Sequence, residues 1–165
     1  MQTEYFPLVN LEGVVVGKAS RRECHSGTFL LHPVVHLHVF NSAGMLYLQK
    51  RSMSKDIQPG KWDTSVGGHV DFGEKVIDAL KREAREELGL KNYEPLFAFS
   101  YPFRSNCEYE LIYSYSVVYD GIIKPDPVEI EESRFWSLSE IEAGMAKQIF
   151  TPNFELEFQK LKKIL

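Results

Sequence analysis

Apolar and polar positions along the chain change their period several times, and each change marks an element. From Glu74 to Leu88 no Pro or Gly interrupts, Ile77, Leu80, Ala84 and Leu88 recur at helical spacing, and Gly89 follows. This pattern predicts an amphipathic helix over 74–88 with a glycine stop. Ahead of it, His32 to Phe40 is largely apolar and β-branched, Asn41-Ser42-Ala43-Gly44 has turn chemistry, and Met45 to Gln49 is apolar again. Strand, turn and strand follow from that order. Behind the helix, Leu96–Phe103 and Glu108–Tyr119 are aromatic and β-branched runs around Arg104-Ser105-Asn106, which predicts an antiparallel pair.

Ser133–Trp136 reads as a short strand, and Ser137 or Ser139 as the cap of a small helix. Pro152 opens a last helix to Ile164, with Phe154, Leu156, Phe158, Leu161, Ile164 and Leu165 as its apolar surface. At the front, Glu4–Asn10 and Gly13–Ala19 flank Leu11-Glu12-Gly13, a hairpin expected to adorn the core. Strands, one long helix, more strands and closing helices predict an α/β class domain in which helices cover a mixed sheet. The expected plan is a single domain over 1–165: a hairpin at about 1–31, a core at about 32–150 and a C-terminal helix at about 152–165.

Composition narrows the partners. At 165 residues the chain is long enough to bury roughly two-thirds of its unfolded surface without a staple. A net charge of −4 gives no general attraction to nucleic acid or to anionic membranes, so polyanions must be met by local bases or by metal. No leader pattern opens the chain and no run approaches roughly 18 apolar residues, which predicts a cytoplasmic protein. Cys24 and Cys107 form no framework or metal pair and are expected to pack.

The helix carries the chemistry. Glu83, Glu86 and Glu87 fall within about 100° of one another beside the apolar stripe. Like charges at that spacing repel, so a cation is expected among them. Oxygen ligands suit Mg2+ or Mn2+, with Glu74 and Arg82 as supports for the cluster and the preceding glycines letting backbone approach an anion. Lys50, Arg51 and Lys55 precede Pro59-Gly60 and are placed to hold phosphate oxygens. His36 and His38 share a strand face and are read as packing or surface residues without a role.

The run from Gly68 to Leu90 resembles the signature of the Nudix hydrolases, G-x5-E-x7-R-E-U-x-E-E-x-G-U with U aliphatic, and Ala84 is a small substitute at one aliphatic position. That resemblance implies a Nudix-type α/β/α sandwich. It also implies metal ligands at Glu83, Glu86 and Glu87, with the carbonyl of Gly68 as a possible addition. Over most of its length the chain is also similar to the type I isopentenyl diphosphate isomerases, in Lys50-Arg51-x-x-x-Lys55, Pro59-Gly60-x-Trp62, Ser65-Val66-Gly67-Gly68-His69, Lys124–Ile130 and Thr151-Pro152. This second resemblance implies a possible second divalent ion at His25, His32, His69, Glu108 and Glu110. It implies diphosphate contacts at Arg21, Arg51 and Lys55. It departs at Gly67, where those isomerases carry a catalytic cysteine, while the full glutamate cluster favours hydrolysis.

The expected function is metal-dependent cleavage of a nucleoside diphosphate linked to X, or of a related small diphosphate, by water. The base is one of the cluster glutamates or Glu108, Glu110 or Glu131, and the residues do not choose among them. The alternatives are an isopentenyl-diphosphate isomerase-like enzyme and a non-catalytic nucleotide-sensing domain. A recognition pocket is expected from the hairpin, residues 104–106 and residues 121–127. Neither the leaving group nor the oligomeric state is written in the chain.

Overall fold

The computed structural model describes residues 2–55 and 57–165. Chain order gives β1 (Tyr5–Val9), β2 (Val15–Ser20), α1 (Arg21–Cys24), β3 (Leu31–Phe40), β4 (Leu46–Arg51), β5 (Trp62–Asp63) and β6 (Val66–His69). Then follow α2 (Val76–Leu88), β7 (Leu96–Arg104), β8 (Tyr109–Val118), β9 (Ile130–Trp136), α3 (Leu138–Gly144) and α4 (Pro152–Lys162). The long strands run in the order β5-β4-β3-β8-β7, with β6 on β3 and β9 on β4. β3 and β8 are parallel over their full length, and the other pairs are antiparallel. A mixed sheet of this kind needs cover on both faces.

Alternation along β3 supplies the two faces. Val35, Leu37 and Val39 bury against Leu80, Ala84 and Leu88 of α2. On the far side Leu46, Leu48 and Trp136 meet Phe154, Phe158 and Leu161 of α4. The result is an α/β/α sandwich with a separate β1-β2 hairpin.

Local chemistry sets the helix ends. Gly89 takes φ 65 and donates its N–H to the Arg85 carbonyl, the left-handed stop expected of glycine. The start differs from the expected Glu74: the helix begins at Val76, because the Glu74 carboxylate is held by Arg82 and by the Asp71 N–H. Ala79 replaces Ile77 in the fully buried stripe, and Ile77 packs at its margin. Ser137 caps α3 with a reciprocal Glu140 bond, and Thr151 caps α4 ahead of Pro152.

Two expectations need correction. Leu156, Ile164 and Leu165 are exposed, and the buried face of α4 is Phe154, Glu157, Phe158 and Leu161, so a carboxylate sits where apolar surface was expected. The hairpin is also more than an adornment. Phe6 on β1 is 1% exposed and stacks on the ring of His69 at 4.4 Å, so β1 closes one end of the site.

Candidate active site

A cleft of about 1010 Å³ wraps around β6. That strand is bonded to β3 along one edge and carries Gly67 and Gly68, whose Cα–H positions face opposite sides of the sheet. The cleft therefore reaches the α2 carboxylates on one side and a set of imidazoles on the other.

On the α2 side, Arg82 is the organising group. Its Nε and one terminal nitrogen donate to the two oxygens of Glu74 at 2.9 and 3.0 Å, a bidentate pair. Its other terminal nitrogen reaches Glu83 at 2.9 Å and Glu86 at 3.5 Å, and a further bond goes to the His69 carbonyl at 3.0 Å. Glu74 and Arg82 thus stand as the expected supports. Gln49 donates to one oxygen of Glu87 at 2.8 Å, and the other oxygen of Glu87 is buried without a partner among the described residues. Burial pushes the Glu87 carboxyl well above its usual range and raises Glu83 as well. Glu86 remains largely in solvent.

Gly68 has a sharper reason than the one expected. A Cβ there would lie 2.2 Å from the Glu83 carboxyl carbon, so the anion that comes close to this backbone is Glu83 itself.

On the opposite side His25, His32, His69 and Glu108 each offer a ligand atom, all within 4.8 Å of one another. Glu110 is the exception among the five: it lies beside His32 in the β3-β8 register and lines the cleft, outside that group. Its carboxyl is lifted to about 8 by burial and then by Glu108. His32 Nδ1 donates to the Leu30 carbonyl at 2.8 Å, which leaves a lone pair on Nε2, and that atom is buried without a partner among the described residues. His25 and His69 meet Nε2 to Nε2 at 3.2 Å. Burial depresses all three imidazoles, His69 most, so they are neutral near pH 7 and free to ligate. Two unpartnered buried acceptors, on Glu87 and His32, fit a cation on each side of the cleft.

Of the expected phosphate bases, Lys50 is not among the lining residues, and the three that line the cleft are already paired: Arg21 with Glu4 at 3.3 Å, Arg51 with Asp63 at 3.5 Å, and Lys55 with Glu129. Residues 104–106 and Asp126 form part of the wall, whereas the hairpin strands give way to Arg21 and His25. Glu131 is not among the lining residues.

Sequence reasoning missed Gln49 and the buried set His36, His38 and Glu157. Glu157 accepts from His36 Nδ1 at 2.6 Å and lies 3.1 Å from His38 Nε2. A signal existed: Glu157 follows Phe154 by three and precedes Leu161 by four, which places a carboxylate on the apolar face of the last helix.

Fold and cleft define an α/β/α sandwich in which an acidic helix and an imidazole nest share one ligand-sized cavity. The profile of the family described as NUDIX domain matches residues 30–154, and the chain belongs to that family. Among curated proteins it is 39% identical over 95 residues to the isopentenyl-diphosphate Delta-isomerases of Shigella boydii and Escherichia coli. Those matches cover 58% of this chain and 52% of theirs, so the match spans about half the length of these relatives. Among solved structures, DR0079 from Deinococcus radiodurans superposes with a TM-score of 0.83 at 27% identity, over 95% of this chain and 98% of that one. A MutT protein from Methanosarcina mazei, with a TM-score of 0.70 and 24% identity over 81% of this chain and 94% of its own, shares the fold.

Proposed function

We propose that this chain is a metal-dependent pyrophosphohydrolase that cleaves a nucleoside diphosphate linked to X, or a related small diphosphate, with water as the nucleophile. The observation that carries this reading is the α2 cluster: Glu83, Glu86 and Glu87 open on the cleft, with one Glu87 oxygen buried and unpartnered. Glu83, Glu86 and Glu87, with the Gly68 carbonyl, would hold Mg2+ or Mn2+, which supplies charge neutralisation and a more acidic water. Arg82 fixes Glu83 against Gly68 and keeps the cluster from splaying. Gln49 holds Glu87 in one rotamer by its single bonded oxygen. Neutral His25, His32 and His69 with Glu108 would take a second ion of the Mn2+ or Zn2+ type.

A second reading is favoured by the names of the 39% identical relatives together with the imidazole nest: isomerisation of a small isoprenoid diphosphate. Moving a double bond requires an acid and a base across the substrate. Gly67 has no side chain to offer a proton, which supports hydrolysis over isomerisation.

A panel of nucleoside diphosphate sugars, dinucleoside polyphosphates, coenzymes, nucleoside triphosphates and isoprenoid diphosphates tests the choice. Metal-dependent release of phosphate or a nucleoside monophosphate from at least one member is expected. Solvent deuterium entering isopentenyl diphosphate above an enzyme-free control, and stopping in Glu110→Gln, would make the isomerase reading primary.

A further inference from the structure

The histidine at the middle of β3 has a place in the cleft that the cluster and the nest leave unfilled. His36 is 8% exposed, and its remaining exposure lies in the cleft wall. Its Nδ1 is committed to Glu157 at 2.6 Å, and Glu157 is itself fully buried on α4. That bond fixes the ring and leaves Nε2 on the opposite edge, where it meets no hydrogen-bond partner among the described residues. Across the β3-β6 pairing stands Gly67. A Cβ built on Gly67 would come within 3.3 Å of His36 Cδ2 and 3.6 Å of Nε2, so the imidazole edge fills the space a side chain at 67 would occupy.

We propose that the Nε2–H of His36 donates a hydrogen bond to a phosphoryl oxygen of the substrate diphosphate, with Glu157 as the residue that positions it. This rests on the diphosphate reading above. The other cations lining the cleft are already engaged: Arg21, Arg51 and Lys55 each face a carboxylate and Arg104 lies over the Phe29 ring at 4.0 Å, whereas the His36 edge that looks into the cleft faces no carboxylate within bonding distance among the described residues. An oriented ring nitrogen backed by a buried carboxylate is a preorganised donor for an anion, and it costs little ordering on binding. Its protonation fits. Burial alone would push the imidazole down, but Glu157 from α4 lifts it to about 9, with Asp63 of β5 and Glu110 of β8 adding to the effect.

Methylenediphosphonate, a diphosphate that cannot be hydrolysed at its bridge, is the probe. With the full chain carrying 15N-histidine and Mg2+ present, the Nε2 signal of His36 should shift as the probe is added. Backbone shifts at Gly68 with an unmoved His36 signal would overturn the proposal. His36→Asn keeps a donor near Glu157 but removes Nε2, and should raise KM about 10- to 100-fold, the size of one charge-assisted hydrogen bond, with a smaller change in kcat. His36→Gln, whose amide reaches the Nε2 position, should recover part of that loss.

Should His36→Asn fold poorly, Gly67→Ala keeps both His36 and Glu157 and sets a methyl against the Cδ2–Nε2 edge of the ring, 3.3 and 3.6 Å from those atoms. An unchanged probe affinity in Gly67→Ala would count against the proposal, and about tenfold weakening would support it. If no diphosphate in the panel is cleaved while the probe still moves the His36 signal, the hydrolase reading falls and this site stands. Hydrolysis with a silent His36 has the reverse meaning.

Discussion

On the α2 side of the cleft, Glu83 and Glu86 face Arg82, a cation built into the same helix, and Glu87 meets Gln49. On the other side His25, His32 and His69 crowd together with their charge suppressed by burial. The first set is carboxylic, partly solvated and already braced by a guanidinium. The second is neutral and walled by the Phe6 ring. Hard, hydrated ions suit the first and borderline ions the second, so the cleft would sort metals by ligand chemistry. The two sides are also joined, because Arg82 donates to the backbone carbonyl of His69 while bridging to Glu83.

The largest expected effect separates charge from shape on the helix side. Glu87→Gln should cut diphosphate turnover by roughly a hundredfold or more, since a metal supplies several kcal/mol of transition-state stabilisation. Thermal unfolding should show no loss of stability, because a buried carboxylate is exchanged for a neutral amide that can still meet Gln49. Near-normal turnover at saturating Mg2+ would move the chemistry away from this helix.

Next comes Gly68→Ala. The added methyl collides with the Glu83 carboxyl, so overpacking should cost about 1–3 kcal/mol of stability and displace Glu83 from the cluster. Denaturant unfolding and turnover measured together check this; a variant normal in both would show that Glu83 has somewhere else to go.

The imidazole side is sharpened by metal titration. Mn2+ or Zn2+ should raise the unfolding temperature of the wild-type chain, by the equivalent of about 2.7 kcal/mol at a hundredfold excess over Kd. His69→Ala should lose most of that shift while keeping Mg2+ binding at the helix. An equal shift in both proteins would mean that the four converging groups do not form a metal site.

A smaller effect should appear in the pH dependence of stability. His36 is raised from 6.5 to about 9 in the folded chain, so its contribution is complete below pH 6.5 and is lost as pH rises through about 9. Glu157 is lowered from 4.5, with burial opposed by His36 and His38, so its share is lost as pH falls below 4.5. Unfolding temperature should therefore decline across the alkaline window, and His36→Asn should flatten that decline. The smallest effect is Arg85→Ala. This exposed residue lies outside the cleft, and the change should stay within about 0.5 kcal/mol and leave turnover intact.

The same comparison explains what could be read from the chain. The helix, its glycine stop and the shared face of Glu83, Glu86 and Glu87 come from neighbours three and four apart, and local spacing carries that information. The imidazole nest draws on the cap that follows α1, on β3 and β6, and on the turn before β8, so only the isomerase resemblance pointed to it. Glu110 is expected with Glu108, yet it lies outside the converging four although its carboxyl is near enough to Glu108 to be raised by it. Gln49 and Glu157 escaped because each acts across the sandwich, at separations of 38 and 121 residues, where periodicity says nothing about partners. The short strands β5 and β6 escaped as well, since two residues in β5 and a pair of glycines in β6 leave no alternation to detect.

The loop before β9 is anchored at two points on the end of α2. The Lys124 N–H bonds to the Leu88 carbonyl and the Asp126 N–H to the Glu87 carbonyl, so Glu87 holds Gln49 with its side chain and the loop with its backbone. Anyone grafting a different loop here to change what the cleft accepts would meet these two anchors, and the packing of Ile123 on the core beside them. Between 124 and 126 the spacing is fixed by the pitch of the helix, and an insertion there would unlatch the last turn beneath the carboxylates. Amide hydrogen exchange at Lys124 and Asp126 should accordingly keep pace with Leu88 and not with the exposed residues around them.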